Sequence, residues 1–129
     1  FKTYGRHLGM TVAVVYGGVK YGPQVRAMAG GLDVLVATPG RLLDHLGEKM
    51  LDLSATEVFV LDEADQMLDL GFVKPIRQIA SRLPKARQNL FFSATMPAEI
   101  GKLAGELLND PAEVRVTPQA TTVEKIAQQ

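Results

Sequence analysis

Apolar residues gather in short runs, separated by stretches in which they recur every three or four positions. The runs are Thr11–Gly17 (TVAVVYG), Asp33–Thr38 (DVLVAT), Glu57–Asp62 (EVFVLD), Asn89–Thr95 (NLFFSAT) and Ala112–Val116 (AEVRV). Their length and their Val and Phe content predict strands. Between them the spacing turns helical: Ile76, Ile79 and Leu83 share one face, as do Ile100, Leu103 and Leu107. Gly30-Gly31 and Asn109-Asp110-Pro111 predict turns that close two helices. Strand alternating with helix predicts an α/β fold, a parallel sheet flanked by helices. The second to fourth runs are apolar nearly throughout, which predicts strands covered on both faces. After Val116 the rhythm fades, and TPQATTVEKIAQQ reads as a linker leaving the domain.

Composition narrows this picture. A chain of 129 residues that is 47% hydrophobic suits one compact domain. Fourteen basic and 14 acidic side chains balance, so net charge favours neither nucleic acid nor membrane, and any such partner must be met by local geometry. The absence of cysteine excludes disulfides and thiolate metal sites. His7 and His45 lack ligand spacing and are expected to be solvated or capping. No apolar run approaches the roughly 18 residues of a membrane span. The start, FKTYGRHLGM, has no apolar core of a signal peptide. It also lacks an initiator methionine and begins as if in mid-helix, which predicts a piece of something longer.

Ligands of open parallel sheets bind beyond the carboxyl ends of the strands. Here those ends carry Gly17-Gly18, Thr38-Pro39-Gly40-Arg41, Asp62-Glu63-Ala64-Asp65 and Ser93-Ala94-Thr95. Three carboxylates within four positions at a buried strand's end are costly unless a cation or proton compensates. Mg²⁺ suits such oxygen ligands, with Asp62 holding the hydrated ion and Glu63 placed to accept a proton from an attacking water. The plainer alternative is that Glu63 and Asp65 complement the N-terminal dipole of the next helix.

Thr38 is expected to cap a helix whose first residue is Pro39, with Leu42, Leu43 and Leu46 behind it. That puts Arg41 in the first turn, where the dipole disfavours a cation. An external phosphate would relieve the conflict; an arginine bent into solvent is the alternative. Gly17-Gly18 permits a positive φ or the close approach of another backbone. Ser93 and Thr95 are two hydroxyls where a helix cap needs one, and they could satisfy the lone pairs of Asp65.

In this order and spacing the four pieces resemble the DEAD-box family of ATP-dependent RNA helicases. Asp62–Asp65 matches the motif that names the family, Thr38–Arg41 its TPGR motif, Ser93–Thr95 its SAT motif and Gly17-Gly18 its double glycine. The resemblance implies that Asp62 and Glu63 are the Walker B pair, Asp62 holding Mg²⁺ through water and Glu63 activating the water that attacks ATP. It implies that Asp65, Ser93 and Thr95 couple the nucleotide site to RNA. Gly17, Gly18, Thr38, Pro39, Gly40 and Arg41 would hold the sugar-phosphate backbone, independent of sequence. An intracellular, cytoplasmic protein is implied, with a nuclear location left open.

The Walker A pattern G-x-x-x-x-G-K-[ST] is absent; Gly101-Lys102 is followed by Leu103. The expectation is therefore a truncated RecA-like P-loop NTPase domain lacking the Walker A strand and loop. Residues 1–117 would form part of the first RecA-like domain, and 118–129 would begin the linker to a second RecA-like domain, itself a partner. Such a chain should neither bind ATP tightly nor hydrolyse it, and its SAT strand should offer an open edge for self-association. A phosphoacceptor receiver domain would need an acidic pair where Tyr16-Gly17-Gly18 stands. The remaining rival is a non-catalytic remnant that binds RNA backbone or protein.

Overall fold

The computed structural model describes residue 1 and residues 3–116. Among these residues four strands and five helices follow in order: β1 (Val12–Val15), α1 (Tyr21–Met28), β2 (Val34–Ala37), α2 (Pro39–Gly47), β3 (Val58–Leu61), α3 (Ala64–Asp69), α4 (Val73–Ala80), β4 (Gln88–Phe91) and α5 (Ala98–Leu107). The α/β reading and the parallel pairing are borne out. β1 pairs with β2 from Val12 opposite Val34 to Val15 opposite Ala37, and β3 with β4 from Val58 opposite Gln88 to Leu61 opposite Phe91. No ladder joins β2 to β3, so the strands form two parallel pairs rather than one continuous sheet among the described residues.

Side chains join what the backbone ladder does not. Leu35 and Ala37 of β2 and Phe59 of β3 pack against the same cluster, Leu42 and Leu46 of α2 with Ile79 of α4. Farther along, Leu61 meets Ala64, Val73, Ile76, Ile100 and Leu103, drawing α3, α4 and α5 onto the second pair. On the first pair Ala13 and Val15 bury Met28 of α1. The two helical faces read from spacing, Ile76/Ile79 and Ile100/Leu103, are the interior faces of α4 and α5. Arg77 and Glu106 clamp these helices outside, Nε to Oε2 at 2.6 Å and Nη2 to Oε1 at 3.0 Å.

All five helices lie against the face that carries Ala13, Val15, Leu35, Phe59 and Leu61. Strand side chains alternate, so Val14, Val36, Val58, Val60 and Leu90 point the other way, and all five are exposed. Coverage of both faces, expected from the apolar runs, does not hold: Val60 is 49% exposed.

Three further expectations are corrected. Ala112–Val116 forms no strand and pairs with no described strand; Val114 and Val116 are exposed, and Arg115 turns back on Glu113, Nε to Oε1 at 2.7 Å. The chain start is not helical: Gly5 N–H bonds Phe1 O and Leu8 N–H bonds Gly5 O in consecutive turns. His45 is neither solvated nor a cap but fully buried. The expected turns do close α1 and α5, with Gly31 at φ +83° and Asp110 at φ +46°. The linker expected over 118–129 lies outside the described residues.

Candidate functional site

Parallel pairing sends the carboxyl ends of β3 and β4 to the same rim, and hydrogen bonds continue past the ladder. Phe92 N–H donates to Leu61 O at 2.8 Å and Ala64 N–H to Phe92 O at 3.1 Å, tying the acidic tip to the SAT tip. Side chains complete the tie. Thr95 donates its backbone N–H and its hydroxyl to Asp65 Oδ2, each at 2.9 Å. Ser93 Oγ accepts the Asp65 N–H at 3.1 Å and donates to Thr95 O at 2.7 Å. The Thr95 hydroxyl, ahead of backbone N–H bonds and against some desolvation, holds the Asp65 carboxyl below its ordinary value. Both hydroxyls are thereby used, but only that of Thr95 satisfies a lone pair of the Asp65 carboxylate; that of Ser93 meets the Asp65 N–H and Thr95 O instead.

Asp62 and Glu63 stand apart from this knot. Asp62 Oδ1 accepts the Glu63 N–H at 2.9 Å. Glu63 takes the left-handed conformation, φ +52° and ψ +46°, just before α3 begins. Asp62 and Glu63 are exposed, which corrects the expectation of acids held at a buried strand's end: the tip opens to water and Asp65 turns aside to Thr95. No three His, Asp or Glu side chains among the described residues converge as a metal cage. Two solvent-facing carboxylates still suit a hard cation that keeps most of its waters.

The other pair of strands carries the second half of the rim. Thr38 N–H extends the β1–β2 ladder to Val15 O at 3.0 Å, and Thr38 O accepts the Leu42 N–H at 3.1 Å. Pro39 is the first residue of α2, as expected, but the Thr38 hydroxyl makes no capping bond and its residue stays exposed. Gly18 needs its glycine for a φ of +78°; a side chain at Gly17 or Gly18 would meet nothing within 4 Å. The halves adjoin where Gly40 faces the Phe72 ring, 3.9 Å from the Cβ it would carry.

Arg41 does not bend into solvent. Its side chain is 14% exposed, it lies 3.7 Å from Asp44, and its guanidinium sits 5.7 Å above the Tyr21 ring. Nη1 donates to Val19 O and to Gln24 Oε1, both at 3.2 Å. Gln24 Nε2 donates to Tyr16 O at 2.9 Å, which fixes Oε1 as the acceptor for Arg41 and for His45 Nε2, 2.9 Å away. His45 therefore carries its proton on Nε2, while its Nδ1 and the hydroxyl of Tyr21, whose ring stacks with centroids 4.2 Å apart on the imidazole, are buried without a partner among the described residues. Burial, then Arg41, push the His45 pKa below 6.5, opposed by Asp44. Burial, then Glu48 and Asp44, raise that of Tyr21 against Arg41.

A family model described as DEAD/DEAH box helicase matches residues 1–103. The chain belongs to the DEAD/DEAH box helicase family. Among its helicase relatives, ATP-dependent RNA helicase DeaD of Escherichia coli is 42% identical over 126 residues, covering 97% of this chain and 20% of that protein. ATP-dependent RNA helicase RhlB of Xanthomonas axonopodis is 44% identical over 128 residues, covering 97% and 22%. The chain thus spans about a fifth of the length of these relatives. A solved hypothetical ATP-dependent RNA helicase from Sulfolobus tokodaii superposes with a TM-score of 0.78 at 38% identity, over 84% of this chain and 33% of that one. A DEAD box protein from Methanococcus jannaschii gives 0.75 at 41%, over 79% and 28%. The fold is that of a RecA-like helicase domain, present in part.

For this helicase chain the rim assembles Asp65 with Ser93 and Thr95, and Arg41 with the loop of Gly17 and Gly18. It leaves Asp62 and Glu63 solvent-facing beside them. Tyr21 and Gln24 went unseen in the sequence, and His45 read there as solvated or capping. The signal was there: Gln24 and Met28 are one turn apart on the inner face of α1, and His45 falls between Leu42 and Leu46 on the inner face of α2.

Proposed function

We propose that this chain is the part of an ATP-dependent RNA helicase that serves the nucleotide's magnesium and grips the RNA backbone, and that alone it is catalytically silent. The observation that carries the reading is the bonding of Asp65 to Thr95 and Ser93, a direct physical link between the acidic tip and its neighbour. The relatives, named as ATP-dependent RNA helicases, support the substrate pair.

Residues 1–117 are read as part of the first RecA-like domain and 118–129 as the start of a linker to a second. The setting is intracellular. Asp62, with Oδ1 occupied by the Glu63 N–H, has Oδ2 for the water shell of Mg²⁺, and Glu63 lies beside it. Bound there, Mg²⁺ would neutralise phosphate charge. The Glu63 carboxylate orients a water and accepts its proton. Asp65, Ser93 and Thr95 transmit the state of that site. Gly17, Gly18, Thr38, Pro39, Gly40 and Arg41 meet RNA phosphates through amides and guanidinium, without reading bases.

Titration of labelled single-stranded RNA with and without ATP tests this. The chain alone should bind weakly, with strong salt dependence and no response to ATP. The full protein should tighten with ATP and lose turnover on Glu63→Gln. Turnover of Mg·ATP by the purified chain, surviving contaminant controls, would overturn the silent-fragment reading. The absent G-x-x-x-x-G-K-[ST] favours one second reading, a non-catalytic binder of RNA backbone or protein. ATP-independent binding by the full protein would select it.

A further inference from the structure

We propose that Gln24 is a positioning residue for Arg41, holding its guanidinium ready at the rim for a phosphate of the RNA backbone. This rests on the reading of the rim as an RNA grip. Gln24 is 6% exposed, and every polar atom of its side chain has a task. Nε2 is anchored on Tyr16 O, immediately before the paired glycines, and Oε1 receives Arg41 Nη1 and His45 Nε2. Arg41 Nη1 also reaches Val19 O, immediately after the glycines. One amide and one guanidinium thus strap the loop 16–19 to the first turn of α2, and the Tyr21 ring lies under the guanidinium.

Arginine has five N–H donors in a rigid plane. Both hydrogen bonds of Arg41 use Nη1; Nε and Nη2 make no hydrogen bond among the described residues, and the one charge beside that edge is the exposed Asp44 carboxylate, 3.7 Å from Nε, which an incoming phosphate would have to displace. The anchored edge fixes the plane, and the other edge is what an incoming phosphate would meet in fork geometry. An untethered arginine would have to be ordered on binding, which costs affinity without removing any contact.

The test is a double-mutant cycle in the full protein: affinity for a labelled oligouridylate across a salt series, for wild type, Gln24→Met, Arg41→Met and the double variant. Gln24→Met should weaken binding about three- to tenfold, the range set by ordering one long side chain. Its salt slope should match wild type, because the phosphate contact persists. Arg41→Met should weaken binding and lower the slope by about 0.7, one phosphate contact on a single strand. In the double variant the effect of Gln24→Met should vanish.

If Gln24→Met costs as much with Met at position 41, Gln24 acts on the fold at large and the proposal fails. If only Arg41→Met matters, the RNA reading stands and the positioning role falls. If Arg41→Met changes neither affinity nor slope, the RNA reading of this rim is itself overturned. Should Gln24→Met not fold, Gln24→Asn carries the same cycle, keeping the amide but falling one methylene short of Arg41.

Discussion

Thr95 gives both its backbone N–H and its hydroxyl to one carboxylate oxygen of Asp65, across 30 residues of chain. Two donors on one oxygen favour the ionised form. That depresses the folded-state pKa below the ordinary 3.8. A depressed carboxylate stabilises the fold fully above its unfolded value and loses that contribution as pH falls through the folded one. Thr95→Val removes the larger of these donors. The Asp65 titration, followed by carboxyl-carbon NMR, should move up toward 3.8, and acid unfolding should begin at higher pH. An unmoved titration would break the assignment of Thr95 as the main cause.

His45 supplies a second pH dependence, at milder acidity. Its folded pKa is depressed below 6.5, so the unfolded chain binds the proton first. Its contribution is whole above 6.5 and declines as pH drops below that value. The groups facing it are Arg41, Asp44, Gln24 and Tyr21. Urea midpoints should fall between about pH 7.5 and about pH 5.5, the range in which imidazoles titrate. The drop should be smaller in His45→Gln. Equal drops with and without His45 would place the titration elsewhere.

Ile76 lies where α4 meets β3 and α5 and is almost wholly enclosed. Ile76→Ala should cost about 2–5 kcal/mol, a transfer and a cavity contribution together. Against a typical domain stability of about 5–15 kcal/mol that is a large share. Chemical denaturation reads it directly. A loss within the surface range of about 0.5 kcal/mol would mean the cluster is not a packed core.

β4 pairs only with β3 among the described residues, so its other edge is open, and Val58, Val60 and Leu90 line the bare face beside it. Concentration-dependent self-association of the chain is expected in light scattering. Leu90→Lys, a charge on that face next to the edge, should shift the population toward monomer. A wild-type chain that stays monomeric at high concentration would count against the open edge as an association site.

Much of this was legible because it rests on local chemistry. The alternation of runs and helical spacing is enforced by backbone geometry, and the four strand tips carried their glycines, hydroxyls and acids openly. The pairing of Asp65 with Ser93 and Thr95 followed from an excess of hydroxyls over what a cap needs. Other features depended on neighbours that no local pattern records. Val58-Phe59-Val60-Leu61 reads the same whether one face is covered or two. Glu113-Val114-Arg115-Val116 has a strand's alternation, but a strand also needs a partner ladder. The burial of His45 required Gln24 from another helix, 21 positions away. The acids looked desolvated on paper because the openness of a tip is a property of the assembled surface.

The left-handed turn at Glu63 gives its carboxylate an unusual mount. Side-chain-bearing residues sit in that basin at a penalty of about 1–2 kcal/mol relative to their usual conformations, and glycine does not. Replacing Glu63 with glycine would therefore relax the backbone while deleting the acid. A gain in thermal tolerance at this one spot and a loss of the proton acceptor proposed there would arrive together, as two outcomes of a single kink.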